Sequence, residues 1–323
     1  MKALSRIAWT LVILMSCSAY GQEYKWYKGN THTHTTNSDG NETPRRVVRW
    51  YFDHNYHFLV LTDHSTLTGI KYLDTDKNDD FILIPGEEVT DSYQNKPLHV
   101  NGIGVKQVVK SQHGNGIVET LQRNINAIRE AGGVAHVNHP NWRYSFADKE
   151  LAELKDVKLF EVYNIGKDSN NYSAGGYPGM EEIWDRVLLE KVLLYGVVSD
   201  DTHNYVGEFS ADKANPGKGW VMVRAADLTP EAITASLERG DFYGSTGVTL
   251  SDVAVTDREY RVEIEPSGDA KYTTMFIGKG GEVLKRDIGL KSSYQFKGDE
   301  VYVRAKVISS TGDFAITQPA FVK

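Results

Sequence analysis

Six stretches of this chain place histidine and carboxylate residues on, or at the end of, short apolar runs, and that recurrence restricts the possible folds more than any other feature. Thr31-His32-Thr33-His34 has two imidazoles at i and i+2. Leu59-Val60-Leu61 ends in Thr62-Asp63-His64, and Ile82-Leu83-Ile84 ends in Pro85-Gly86-Glu87-Glu88. His99 lies inside Leu98-His99-Val100. Val134-Ala135-His136-Val137 runs into Asn138-His139-Pro140, and Val197-Val198 runs into Ser199-Asp200-Asp201-Thr202-His203. Groups so costly to bury alone recur at strand ends where a fold gathers those ends on one rim.

The segments between these runs have helical periodicity. Strands are predicted at 58–61, 81–84, 99–105, 133–137, 159–163 and 193–198. Thr43-Pro44 reads as a helix start that puts Val47, Val48 and Tyr51 on one face. Ile117, Leu121, Ile125 and Ile128 repeat at helical spacing, as do Met180, Ile183, Trp184 and Val187. Thr229-Pro230 opens another helix, running to about Arg239. Strand followed by helix, repeated, implies parallel strands with crossover helices: an α/β barrel or a doubly wound sheet. After Thr249 the pattern becomes period two, with Tyr260, Val262 and Ile264 and then Val301, Val303, Ala305 and Val307. Gly278-Lys279-Gly280-Gly281 separates two such runs as a hairpin turn does. The predicted organisation is a barrel over 22–249 and a small antiparallel β domain over 250–323.

On a strand, His32 and His34 share one face, so both can approach one cation. A lone His-x-His is weak evidence, and Asn37-Ser38-Asp39-Gly40 alone is a turn. Their joint placement on one rim is what points to metal chemistry. The sole cysteine is Cys17, so the ligands are nitrogen and oxygen, suited to zinc, manganese or iron. Such cations bring the pKa of a bound water near neutrality and so supply hydroxide.

The set His32-x-His34, Ser38-Asp39-Gly40, Thr62-Asp63-His64, Gly86-x-Glu88, His99, His139-Pro140 and Asp201-x-His203 resembles the PHP (polymerase and histidinol phosphatase) family over about residues 28–250. That resemblance implies a distorted (β/α)7 barrel with two or three divalent ions. It assigns His32, His34, Glu88 and Asp201 to one ion. Glu88 would bridge to a second, held by His99 and His139, while Asp39, His64 and His203 would hold a third. Glu87 is the competing bridge. More loosely, residues 237–247 and Gln318-Pro319-Ala320-Phe321 are similar to the exported branch of that family containing carbamate-ester hydrolases.

Asp63, His136 and Arg143 are candidate catalytic residues: Asp63 as a partner that orients ligands, His136 as such a partner or a substrate contact, Arg143 as an anion holder. Asp200 is a further orienting candidate, and Asn164 a substrate contact. His54 and His57 read as a helix terminus and His113 as a loop residue. Trp142, Tyr172 and Tyr177 would build an apolar pocket if the substrate is a neutral ester.

Residues 1–21 read as an export signal, with Lys2 and Arg6 ahead of an apolar stretch and a small-x-small site at Ala19-Tyr20-Gly21. The expected location is periplasmic or secreted. A lipid-anchored form through Cys17 is the alternative, and no segment is long enough to span a membrane. Cleavage removes Lys2 and Arg6 and no acid, moving the net charge from −7 to −9. An acidic surface without a basic run argues against nucleic acid as a partner. The expected partner is a small-molecule ester, and the expected activity is phosphoester hydrolysis by metal-activated hydroxide. Carboxyl or carbamate ester or amide hydrolysis on the same site is the alternative. A non-catalytic glycan-binding surface protein is the reading from another class.

Overall fold

The computed structural model describes residues 24–73 and 79–322. The export signal and Cys17 lie outside the described residues. Among those described, no helix is long and apolar enough to cross a membrane.

The chain opens with β1 (Lys25–Asn30), α1 (Pro44–Asp53), β2 (Phe58–Val60) and β3 (Ile82–Ile84), and β1, β2 and β3 pair in parallel. A hairpin follows, β4 (Gly86–Tyr93) and β5 (Lys96–Ile103), then α2 (Ile117–Glu130), β6 (Val134–Val137) and α3 (Asp148–Glu153). β7 (Leu159–Asn164), α4 (Met180–Leu189), β8 (Tyr195–Ser199), β9 (Trp220–Ala225), α5 (Pro230–Arg239) and β10 (Phe242–Ser245) complete this part. The rest is strand: β11 (Thr249–Val255), β12 (Glu259–Glu265), β13 (Tyr272–Gly278), β14 (Glu282–Ile288), β15 (Lys291–Gln295), β16 (Tyr302–Ser309), β17 (Phe314–Thr317) and β18 (Ala320–Phe321).

The result is a mixed α/β fold with an antiparallel C-terminal region. One sheet runs β14-β13-β16-β17-β10-β9-β1-β2-β3, a second β4-β5-β6-β7-β8, and a third β11-β12-β15. The uniformly parallel arrangement expected before residue 250 is interrupted. β4-β5-β6 and β1-β9-β10 are antiparallel, while β6-β7-β8 is parallel. The physical reason is chain length: β4 and β5 are joined only by Gln94 and Asn95, both at positive φ, a two-residue turn that allows antiparallel pairing alone. β3 and β4 form nearly one strand, interrupted at Pro85, whose nitrogen has no hydrogen for a ladder. It therefore passes from the first sheet to the second. Parallel bridges Thr33 to Thr202 and His64 to Glu88 tie the strand extensions at one end.

The helices bury the predicted faces. Val47, Val48 and Tyr51 of α1, Leu121, Ile125 and Ile128 of α2, and Met180, Ile183, Trp184 and Val187 of α4 are all buried. Each aliphatic side chain contributes roughly 1.5–3 kcal/mol by leaving water. Thr229 caps α5 by accepting from Ala232 N, whereas the Thr43 hydroxyl makes no such bond. The C-terminal strands continue the first sheet through β17 and β10. They are also tied to α4: Arg304 donates to Asp185 Oδ1 and Oδ2 at 2.8 and 2.7 Å and lies 4.9 Å from the Trp184 ring. Gln318 bonds both the N–H and the carbonyl of Gly196 in β8.

Candidate metal centre

The geometry centres on Glu88, on β4 with no solvent exposure. Its Oε1 lies 3.0 Å from His99 Nδ1, 3.2 Å from His139 Nε2 and 3.4 Å from His32 Nε2. Its Oε2 lies 2.8 Å from His64 Nδ1 and 3.4 Å from His34 Nε2. Side chains alternate along a strand, so Glu87 faces the other way and accepts from the backbone N–H of Val109. Asp201 Oδ1 reaches His34 Nε2 at 3.0 Å and His32 Nε2 at 3.1 Å. Asp39 approaches His34, His64 and His203 at 3.5, 3.5 and 3.3 Å.

All nine candidate ligands therefore fall in one cluster. Four overlapping groups within it have donor atoms less than 4.8 Å apart: His34/Asp39/His64/His203, His32/His34/Asp201, His32/Glu88/His139 and His64/Glu88/His99. The chain reaches this arrangement by several routes. His32 and His34 follow β1, His99 stands on the face of antiparallel β5, and His64, His139 and Asp201 follow strand ends. Asp201 holds φ at +45°, a strained conformation for a non-glycine residue, of the kind that persists where surrounding structure enforces it. Gly40 is required beside Asp39, because a Cβ there would sit 2.6 Å from the His34 carbonyl oxygen.

Electrostatics within the cluster are mutual. Burial opposes charge on every member, yet the imidazoles of His99, His32 and His64 hold Glu88 well below the usual carboxylate range. Burial likewise disfavours the His32 imidazolium, but Asp201, Glu88 and Glu161 raise it well above the ordinary value. His64 is raised to about 10, against its own desolvation, by Glu88 and Asp39. His34 and His99 go the other way, lowered by burial.

The three residues considered catalytic lie in different settings. Asp63 is buried and accepts from Thr35 N (2.7 Å), Thr35 Oγ1, Ser38 Oγ (2.9 Å) and Thr68 Oγ1 (2.5 Å). It thereby fixes the turn that carries Asp39. His136 is wholly buried with both ring nitrogens unpartnered, and burial lowers it to about 4. Arg143 lies beside Trp142, 5.1 Å from its ring, and lines a neighbouring groove rather than the main cleft. Asp200 accepts from the N–H groups of Gly217, Lys218 and Gly219 and from Tyr51, so it organises a loop. Asn164 donates to Glu161 and Asp201. Trp142 walls the cleft, its ring 5.2 Å from His99 and 5.4 Å from His139. Tyr172 and Tyr177 stand outside the cleft lining. His54 bonds Trp50 O at the end of α1, His57 accepts from Lys28 N, and His113 pairs with Asp91.

Two residues of the site escaped the sequence reading. Glu161 of β7, fully buried, accepts from His32 Nδ1 at 2.9 Å, from His139 N at 2.8 Å and from the Ser199 hydroxyl. It fixes the His32 ring so that Nε2 faces Asp201 and Glu88. Replacing Glu161 with glutamine is expected to weaken metal affinity about 10- to 100-fold, as loss of a ligand's supporting carboxylate does. Titration against a competing chelator measures this, and unchanged affinity would remove Glu161 from the site. Lys167 lines the cleft of about 450 Å³ that opens above the cluster, and among the described residues it is the lysine or arginine that does so.

No family model matches the sequence. No curated protein matches it either. Among solved structures, the chain is similar to a two-domain protein from Bacteroides vulgatus, described as containing a predicted PHP-like metal-dependent phosphoesterase. The identity is 15% and the TM-score 0.50, over 88% of this chain and 90% of that one. The two share a fold. The likeness of fold extends over both parts of the chain. An amidohydrolase from Chromobacterium violaceum also matches, at 14% identity and TM-score 0.39 over 57% of this chain and 93% of that one.

Proposed function

We propose that this protein is a metal-dependent phosphoesterase whose two or three divalent cations are held by His32, His34, Asp39, His64, Glu88, His99, His139, Asp201 and His203. One observation carries the reading. His32 Nε2, His34 Nε2, Glu88 Oε2 and Asp201 Oδ1 are buried, lie close together and yet form no hydrogen bond. Buried polar atoms left unpaired are costly, and four whose lone pairs converge suit a cation. The donor set of imidazole and carboxylate fits zinc, manganese or iron.

Bound cations would activate water and neutralise charge developing on the reacting group. The chain supplies the rest. Glu161 and Asp63 hold the ligands' orientation, Trp142 walls one side of the cleft, and Lys167 supplies a positive charge to its lining, beside Asp168 and Asp212. That cation in the cleft favours phosphate over a neutral ester. The strand ends of β1, β2, β3/β4, β5, β6, β7 and β8 are read as the rim of a distorted (β/α)7 barrel spanning 22–249, with 250–323 as its cover. Residues 1–21 are read as an export signal, so the N-terminus of the mature protein, measured by mass spectrometry, is expected at residue 22.

Metal analysis of protein purified without chelator is expected to give about two to three ions per chain. Phenyl phosphate is expected to be hydrolysed, with Lys167→Ala raising its KM about tenfold, the loss of one charge-assisted contact. Hydrolysis of phenyl acetate alone transfers the reading to carboxyl or carbamate esters. A metal content near zero that manganese or zinc does not restore rejects it.

A further inference from the structure

A second cavity, about 370 Å³, adjoins the metal centre and shares the His99 side chain with it. Its lining includes Asp91, His113, Arg143, Thr90 and Ser92. Among the described residues the Arg143 side chain makes no ion pair or hydrogen bond, and its guanidinium lies 5.1 Å from the Trp142 ring. Since Trp142 packs against His99 and His139, the guanidinium is anchored to the wall of the centre with its five donors free.

His113 is held differently. Its side chain is 77% exposed, but Nδ1 donates 2.7 Å to Asp91 Oδ1, and Arg123 Nη1 donates to its carbonyl at 2.8 Å. Asp91, whose side chain is 1% exposed, also accepts from His113 N, Ser92 N and Asn124 Nδ2. The carboxylate is thus occupied by its own donors, and it orients the imidazole so that Nε2 is left for a ligand. Both groove residues hold positive φ, +44° for His113 and +55° for Arg143. Neither is glycine, so the backbone carries strain at two positions of one groove.

We propose that this groove is an anion subsite, formed by Arg143 and His113 with Asp91 as its positioning residue. It would take a second carboxylate or phosphate carried by the same substrate whose ester lies at the metal centre. The inference rests on the hydrolase reading for the location of the reacting group, and it narrows the substrate class to small esters with two anionic ends. A guanidinium accepts a planar carboxylate or a phosphate through paired N–H donors, and the imidazolium form of His113, its Nδ1–H held by Asp91, adds a directed Nε2–H donor. Because His99 borders both cavities, a short linker joins the two sites.

The test is equilibrium binding to manganese-loaded protein by calorimetry, which needs no turnover. The probes are ω-carboxyalkyl phosphonates of graded chain length and the matching alkyl phosphonates without the carboxylate. One chain length is expected to bind about tenfold more tightly than its uncharged match. Arg143→Gln and His113→Gln are each expected to shrink that advantage at least threefold, and Arg143→Lys to restore part of it. Equal binding of the paired probes at every length overturns the subsite while leaving the hydrolase reading intact. So does an advantage that survives both substitutions. Absence of binding by any phosphonate overturns the subsite and counts against the phosphoesterase reading, which phenyl phosphate turnover then decides separately.

Discussion

Glu88→Gln protein is expected to come off the column folded but without its metals, and to turn over substrate slower by about four orders of magnitude. The size follows from position. One carboxylate, with no exposure to solvent, faces five imidazoles on its two oxygens. An amide has the same shape but loses the charge, and its N–H₂ has no lone pair to offer a cation. Removal of one member of a group that acts as a unit costs nearly as much as removal of the whole. The control is built into the strand: Glu87, next in sequence and on the opposite face, is raised by burial and accepts from Val109. Glu87→Gln should keep its metals. Plasma mass spectrometry for metal, circular dichroism for fold and phenyl phosphate turnover check both variants. Retention of metal by Glu88→Gln would falsify the central position given to that carboxylate.

The second large effect concerns stability rather than chemistry. Arg304→Met should cost about 3–5 kcal/mol, because it leaves the Asp185 carboxylate buried without its counter-charge. Arg304 is 1% exposed, and Tyr302 donates to the same carboxylate at 2.8 Å. The paired change Arg304→Met with Asp185→Leu should recover most of the loss, since two apolar groups of similar volume leave no orphaned charge. Urea unfolding of the single and double variants measures this. A single-variant cost below about 1 kcal/mol places the pair with exposed ion pairs, which contribute little.

Much of the centre was legible because its ligands interrupt apolar runs. Asp63-His64 after Leu59-Val60-Leu61, or His139 after Val134-Ala135, stands out against its own strand. Glu161 did not. It sits inside Leu159-Phe160-Glu161-Val162, where one acid reads as the outward position of a half-buried strand; only the packing of β6 and β8 on both sides buries it. Lys167 follows a strand in a short polar turn, and nothing local says that the turn borders a cleft. The β4–β5 hairpin was missed for a related reason. Residues 86–93 carry three acids and little apolar alternation, because Glu88 and Asp91 of this strand serve the centre and the neighbouring groove rather than the core. Arg143 illustrates the reverse. Its sequence position beside His139-Pro140 suggested the cleft, but Tyr144 and Arg143 at positive φ carry the chain over Trp142 and into the next groove.

The sheet that joins the two parts of the chain also sets the order in which the protein can be made. β17 lies between β10 and β16, and Gln318 clamps β8, so β10 lacks its second neighbour, and β8 its clamp, until the last residues arrive. β1 likewise waits for β9, nearly two hundred residues downstream. Pairings this distant in sequence form late and slowly. A ribosome therefore releases the whole chain before its largest sheet can close, although the five-stranded sheet β4–β8 has all its residues by Ser199.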